Sequence, residues 1–350
     1  MQQLFPEGYF FMNLLYGLSW AEYGKLSKDN DEIFARAVNE SRWALDNLES
    51  EKGSAVLDRY LNPPYGAFYN SWCNYLRAKR MEAFEGKTPE SEKVTFFEKS
   101  AQLAAAFDSS GTPFLQSYNG YSWPADAMPG IASLQIHDKL FEKRFQSAIS
   151  DWLKKIKERL DPETGLISHS TDFISGETLE GARGSSQSLM NLVLIDIDTT
   201  FAKEQYSLYQ KHFASSVLGL PMIREYPKGK TGFGDIDSGP VIFGAGFAAS
   251  VVGLGTANRY GDEQLSNALR NTIETVGFPY SFSKKKRYLF GVLPVGDAFL
   301  LWAKLQTPEK LSGISKTEMK GWRLKFHLAS AVLMFVLCLP FVFKKIRSKK

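Results

Sequence analysis

Cysteine is nearly missing from this 350-residue chain: Cys73 and Cys338 are the only two, and the second lies inside a hydrophobic tail segment. A disulfide framework is excluded. Histidine is scarce as well, four in all, and no Cys-x-x-Cys or His-x-x-x-His spacing exists to hold zinc. Nothing in the pattern calls for a metal or any other cofactor. Charge is close to balance, at +4, and Lys and Arg gather at the C-terminus, so no basic stripe with interleaved aromatics is left for nucleic acid. No stretch alternates clearly with period two, so no strand is expected. Met1 to Phe5 lacks the charged region and small-residue cleavage site of a signal peptide.

What the chain does contain is apolar and aromatic side chains, 44% and 14% of the sequence, enough for one large core or two small ones. They recur at helical spacing: Ile33, Phe34, Ala37, Trp43, Ala44 and Leu48 in one stretch capped by Asp29 or Asn30, and Tyr69, Trp72, Tyr75 and Leu76 in another. The spacing predicts about eleven helices. His137 falls near the middle of one and reads as packed or exposed rather than catalytic.

The chain is organised around Arg224 to Gly261, where a charged loop, Arg-Glu-Tyr-Pro-Lys-Gly-Lys-Thr-Gly-Phe-Gly-Asp-Ile-Asp-Ser-Gly, runs into a segment without charge from Val241 to Thr256. Pro240 is expected to open that helix, with Ser238 or Gly239 as its cap. Gly244, Gly246, Gly253 and Gly255 weaken an isolated helix and point to close packing on neighbours. Asp235 and Asp237 either complement a helix start or join Glu225 in lining a cavity mouth, with Arg224 setting their charge state. A second loop, Tyr118 to Asp126, carries Tyr121, Trp123 and Asp126, and a third places Arg183 between two glycines at a helix start. Tight turns alternate with long Gly/Pro/aromatic loops, which predicts a double ring of helices with the long loops gathered over a central cavity.

The run from Trp152 through Leu160-Asp161-Pro162-Glu163-Thr164-Gly165, Asp196-Ile197-Asp198, Tyr206 to Phe213, Arg224-Glu225, Asp235 to Gly239 and Arg259-Tyr260-Gly261-Asp262 resembles the linalool dehydratase/isomerase family in order and spacing. The resemblance covers mainly residues 113–280, with fainter echoes at Tyr16-Gly17-Leu18 and Tyr65-Gly66. It implies an all-α (α/α)6 toroid with its site in the central cavity. The family's cysteines are missing from the aromatic loop here, and Phe68 stands near where its histidine would fall. What stands there instead is rich in carboxylates, like the acidic, aromatic-lined cavities of six-hairpin glycosidases.

Phe326 to Phe343 carries no fixed charge and is followed by Lys344 to Lys350 with five basic residues, the pattern of a membrane span with a basic tail. The expected organisation is a toroid over 1–307, a basic linker over 308–325, a transmembrane helix over 326–343 and the tail over 344–350. An upstream extension, or a helix around Ala55 to Tyr60, is expected to complete six hairpins. The toroid is expected outside the cytoplasm. The functional expectation is a membrane-tethered enzyme with carboxylate acid-base chemistry, a lyase, isomerase or hydrolase, on a small-molecule or glycan substrate. Asp126 is the expected acid and Asp235 or Glu225 the base, with Asp237 beside them and Tyr121, Trp123, Arg183, Arg224 and Tyr226 binding substrate. For glycoside hydrolysis by inversion the two carboxyls stand about 6.5–9.5 Å apart. The alternative is a non-catalytic glycan- or lipid-binding membrane protein.

Overall fold

The computed structural model describes residues 6–314, 316–319 and 321–347. Helix α1 (Gly8–Leu26) is followed by α2 (Asp31–Leu48), the short α3 (Glu51–Ser54), α4 (Gly66–Ala83), α5 (Glu90–Asp108), α6 (Pro124–Leu140) and α7 (Gln146–Lys157). Strands β1 (Ser170–Thr171) and β2 (Thr178–Glu180) precede α8 (Gly184–Leu194) and α9 (Thr199–Phe213). Strands β3 (Ala214–Val217), β4 (Leu220–Ile223), β5 (Val241–Ile242) and β6 (Ala245–Gly246) lead to α10 (Phe247–Arg259) and α11 (Glu263–Val276). Strands β7 (Tyr280–Phe282) and β8 (Lys285–Arg287) lead to α12 (Pro294–Leu305), and α13 (Trp322–Arg347) comes last.

Helices α1, α4, α6, α8, α10 and α12 pack side by side in that order, and α12 returns to α1, which closes an inner ring. Phe11 and Phe299 meet across that seam with ring centroids 5.7 Å apart. Outer helices α2, α5, α7, α9 and α11 each back their inner partners. The chain is an all-α toroid of the (α/α)6 kind. The sequence dictates which helix goes where. On α11 the apolar positions Leu265, Ala268, Leu269, Thr272 and Ile273 make one buried stripe, while on α8 and α10 nearly every residue is buried. Gly255 is where α10 comes closest to α12: a Cβ there would lie 2.9 Å from the Ala303 Cα. Asn30, Asp198 and Asp262 cap α2, α9 and α11 from the tight turns.

Inner helices α4, α6, α8, α10 and α12 each follow a long connection, and α1, α4, α6, α8 and α10 each end in a short one. The short turns, residues 27–30, 84–89, 141–145, 195–198 and 260–262, form one face of the toroid, here called the floor. The long connections, 55–65, 109–123, 158–183, 214–246 and 277–293, form the opposite face, the mouth, onto which the inner helices open with their N-termini.

Several expectations are corrected. The central helix starts at Phe247, not Pro240, because Phe243 (φ 51°) and Gly244 (φ 82°) close a two-residue turn that folds Val241–Gly246 into a hairpin. Gly253 and Gly255 do pack against neighbours, whereas Gly244 serves the turn and Gly246 caps the helix. Strands exist after all: eight short ones in four antiparallel pairs among the described residues, all in mouth connections. The extra helix lies at Glu51–Ser54, just before the 55–60 stretch. His137 is buried among Phe96, Phe97, Phe141 and Phe145, with Nδ1 3.0 Å from Asp138.

The segment after α12 is docked on the toroid. The Glu309 amide donates to the Arg259 carbonyl, and Thr317 donates through amide and hydroxyl to Asp262. Trp322–Pro340 of α13 is long and apolar enough to cross a membrane, and none of it is buried against protein.

Candidate active site at the toroid mouth

Sequence distance hides how these residues converge, because each comes from the start of a different inner helix or from the connection before it. Glu7 caps α1, Trp123 caps α6 with Asp126 one turn in, Arg183 caps α8, and the 214–246 connection before α10 supplies Glu225, Tyr226, Asp235 and Asp237.

Arg183 is the hub. Its Nε donates to Glu225 Oε1 at 2.9 Å and its Nη1 to Asp235 Oδ2 at 2.6 Å, with Glu180 Oε1 3.6 Å away. The guanidinium lies over the Tyr226 ring, 5.4 Å from its centroid. Nη2 is buried and has no hydrogen-bond partner among the described residues. Glu225 is fully buried, and Ser185 donates to it from both hydroxyl (2.7 Å) and amide (3.2 Å). Burial pushes its pKa up against the pull of Ser185 and Arg183. With both oxygens occupied, Glu225 anchors Arg183. The backbone is fitted as tightly: a Cβ on Gly184 would stand 1.7 Å from the Arg224 carbonyl oxygen.

Arg224 does not set the charge state of these carboxylates, contrary to the sequence reading. Its guanidinium donates to the carbonyls of Tyr226 (3.0 Å) and Lys230 (2.7 Å), because consecutive residues 224 and 225 point to opposite sides of the chain. It shapes the turn.

Asp235 is half exposed and doubly used. Oδ1 accepts from the amides of Asp237 (3.1 Å) and Ser238 (2.8 Å), and Oδ2 faces Arg183. Although partial burial alone would raise its pKa, the Ser238 amide and Arg183 hold it at about 2. The turn it organises presents Asp237.

Asp126 and Asp237 behave in the opposite way. Burial raises Asp126 to about 7, with Asp237 and Glu7 adding repulsion and only a Ser117 hydrogen bond opposing. The residue keeps partial exposure. The α6 N-terminus favours its ionised form by about 0.3–1 kcal/mol, less than one pH unit, so the direction survives. Asp237 opens onto the mouth and is raised to about 6 by burial, then by Asp235 and Glu7. Tyr118 hydrogen-bonds Glu7 and stands in the field of both aspartates, with its own pKa pushed up by burial. Trp123 meets Tyr118 edge-on at 5.9 Å, and the exposed Tyr121 stacks on Trp123 at 5.6 Å. His169, on the same side, is held at about 4 by burial and then by Arg183, so it is neutral at pH 7.

Sequence reasoning missed Glu7, Tyr118, His169, Glu180 and Ser185 as site residues. One signal was available: in a toroid whose inner helices all open on one face, a polar residue in the first turn of every second helix belongs to that face.

The residues behind the linalool dehydratase/isomerase resemblance are mostly structural. Asp161 binds the Ala182 amide and the Thr164 hydroxyl, Asp196 pairs with Arg259, and Asp262 caps α11. A groove of about 500 Å³ between α1 and α2, lined by Met12, Tyr16, Glu40 and Trp43, lies on the outer wall, away from these carboxylates.

No family model matches the chain, and no curated protein matches it. Solved structures do. The chain is similar to a D-mannose isomerase, with a TM-score of 0.52 and 11% identity over 83% of this chain and 85% of that one. It is likewise similar to a novel α-amylase from Clostridium perfringens, with a TM-score of 0.52 and 10% identity over 83% and 86% of the two chains. At these identities the likeness establishes the toroid fold.

Proposed function

We propose that this protein is an enzyme acting on a hydroxylated substrate such as a glycan, with Asp126 as general acid and Asp237 as general base. One observation carries the reading: burial raises two carboxyls at the mouth, Asp126 to about 7 and Asp237 to about 6, with Asp237 adding to the rise at Asp126, so that one holds a proton while the other is ionised near neutral pH. Asp237 replaces Asp235 and Glu225 as base, since Asp235 is held at about 2 by Ser238 and Arg183 and Glu225 has no free oxygen. Asp235 positions Asp237, and Arg183 positions Asp235. Trp123 and Tyr121 offer apolar faces on which a sugar ring stacks, and Tyr226 lies under the Arg183 guanidinium.

The chemistry needs a proton delivered to a leaving or carbonyl oxygen and a proton taken from water or from carbon. Asp126 and Asp237 supply the two halves of hydrolysis, of isomerisation or of elimination. That the similar toroids include an isomerase and an amylase favours a carbohydrate. The same proposal keeps the toroid over 1–307 outside the cytoplasm, with 326–343 spanning the membrane and 344–350 inside. Protease accessibility in intact cells checks that orientation.

The test is turnover of a panel of free sugars, oligosaccharides and alcohols by wild type, Asp126→Asn and Asp237→Asn, with ligand retention measured separately. Turnover by wild type that both variants lose supports the assignment. Retention without turnover in wild type makes the protein a binding module instead.

A further inference from the structure

The connections at the two faces treat large apolar side chains differently. On the floor they are buried: Phe84, Phe145, Ile195, Ile197 and Tyr260. At the mouth Leu220, Ile223, Leu166 and Ile167 are buried, but many others stand in solvent. Phe233 is 94% exposed, Phe243 78%, Phe282 76% and Val292 72%, with Ile236, Ile242, Phe278 and Phe290 beside them in the 214–246 and 277–293 connections. Patches of this kind mark interaction surfaces. Phe243 occupies a left-handed turn position (φ 51°) that ordinarily falls to Gly, Asn or Asp, so the backbone bears strain with an aromatic ring at the tip.

The β7–β8 hairpin says what kind of surface it meets. Its pairing of Phe282 with Lys285 and of Tyr280 with Arg287 places two aromatic and two cationic side chains on one face, and Lys284 sits in the turn between them. Lys286, on the other face, is engaged with Glu274, and Arg287 lies 3.5 Å from Asp297. Aromatic rings at headgroup level with lysines reaching phosphates is the composition of a membrane-interface contact. The same chain carries in α13 a helix long and apolar enough to cross a bilayer.

We propose that the mouth rim docks on a bilayer surface bearing anionic headgroups, and that the site therefore takes a hydroxylated substrate anchored in that bilayer by an apolar tail. The docking stands on the rim alone; the substrate class rests on the acid-base reading of Asp126 and Asp237.

The experiment is hydrogen exchange on the full chain in nanodiscs of phosphatidylcholine alone, in nanodiscs containing phosphatidylglycerol, and in lipid-free amphipol. Amides of 231–244 and 278–293 should exchange about tenfold more slowly in the anionic discs, while ring helices stay unchanged. A triple variant, Phe282→Ser with Lys284→Glu and Lys285→Glu, should lose that protection without altering exchange in α10. Rim exchange equal in all three states overturns the docking, and protection that grows with protein concentration without lipid assigns the rim to a second copy and also overturns it. Turnover then separates the two parts. Equal rates on a lipid-linked glycan and its water-soluble headgroup, in a docked protein, overturn the substrate class. Turnover of neither overturns the acid-base reading and leaves the docking standing.

Discussion

Asp126 and Asp237 at the mouth of the toroid and Asp196 and Glu82 at its floor are carboxylates shifted in opposite directions. At the floor, Arg259 binds Asp196 through both nitrogens, at 2.9 and 2.7 Å, and Tyr75 donates to Asp196 at 2.7 Å. Lys79 reaches Glu82 at 2.8 Å and Glu22 at 3.5 Å. Although burial alone would raise both acids, Arg259 and Lys79 hold Asp196 well below the usual carboxylate range, and Lys79 holds Glu82 at about 2. At the mouth, burial raises both Asp126 and Asp237, with Asp237 and Glu7 adding repulsion at Asp126, and Asp235 and Glu7 at Asp237. Burial pushes all four upward, and what separates them is that cations oppose it strongly at Asp196 and Glu82, whereas neighbouring carboxylates add to it at Asp126 and Asp237. Ion pairs hold the ring at the floor, and at the mouth Arg183 pairs with Glu225 and Asp235 while Asp126 and Asp237 have no cation bound to them among the described residues.

That contrast can be broken from either side. The largest expected effect is Asp126→Asn, which removes the proposed acid: turnover should fall about 10²–10⁴-fold while thermal stability holds or rises, because a repulsive buried charge is gone. Steady-state kinetics alongside calorimetry checks both halves. At the floor, Arg259→Met leaves Asp196 buried without its bidentate partner, with only Lys79 opposing its charge, and should cost about 3–5 kcal/mol in urea unfolding. Activity per folded molecule should be unaffected.

The pH dependence sharpens the comparison. The folded pKa of Asp126 lies above its unfolded value, so the native state holds that proton more tightly, and its contribution to stability declines as pH rises from about 4 towards 7. Asp235 and Glu82 are depressed, so their contribution is present above about pH 4 and is lost as pH falls towards 2. Melting temperatures of wild type minus Asp126→Asn, measured from pH 3 to 8, should show the first slope alone. Turnover should be bell-shaped, limited on the acid side by protonation of Asp237 and on the alkaline side by ionisation of Asp126. The smallest effect is Ser117→Ala. Removing the hydrogen bond that opposes burial should move the alkaline limb upward by up to about one pH unit.

The toroid was legible because its evidence is local. Amphipathic outer helices, inner ones buried on most sides and the rhythm of short and long connections all stand within a few residues of one another. The hairpins were not, because strands of two to four residues are too short to show alternation. Their turns also place Leu218, Phe243, Ser283 and Lys284 at positive φ, where composition gives no warning. For the site, residue types were readable and partnerships were not. Arg224 and Glu225 are neighbours in sequence, yet it is Arg183 that Glu225 meets, since side chains on an extended backbone alternate sides. Glu7 was invisible because its significance depends on α1 lying beside α12, a contact between opposite ends of the ring.

That seam also bears on how the protein is made. Five of the six inner neighbours are joined by the chain as it emerges, but α1 waits for α12 before its last flank is covered. Contacts of such long sequence separation slow folding. A nascent toroid therefore spends most of its synthesis as an open arc, with Glu7 at one tip and the last wall of the cavity not yet made. Agents that shield apolar flanks should matter most in that interval, and the competence of the mouth should appear abruptly, after Pro294 to Leu305 has left the ribosome.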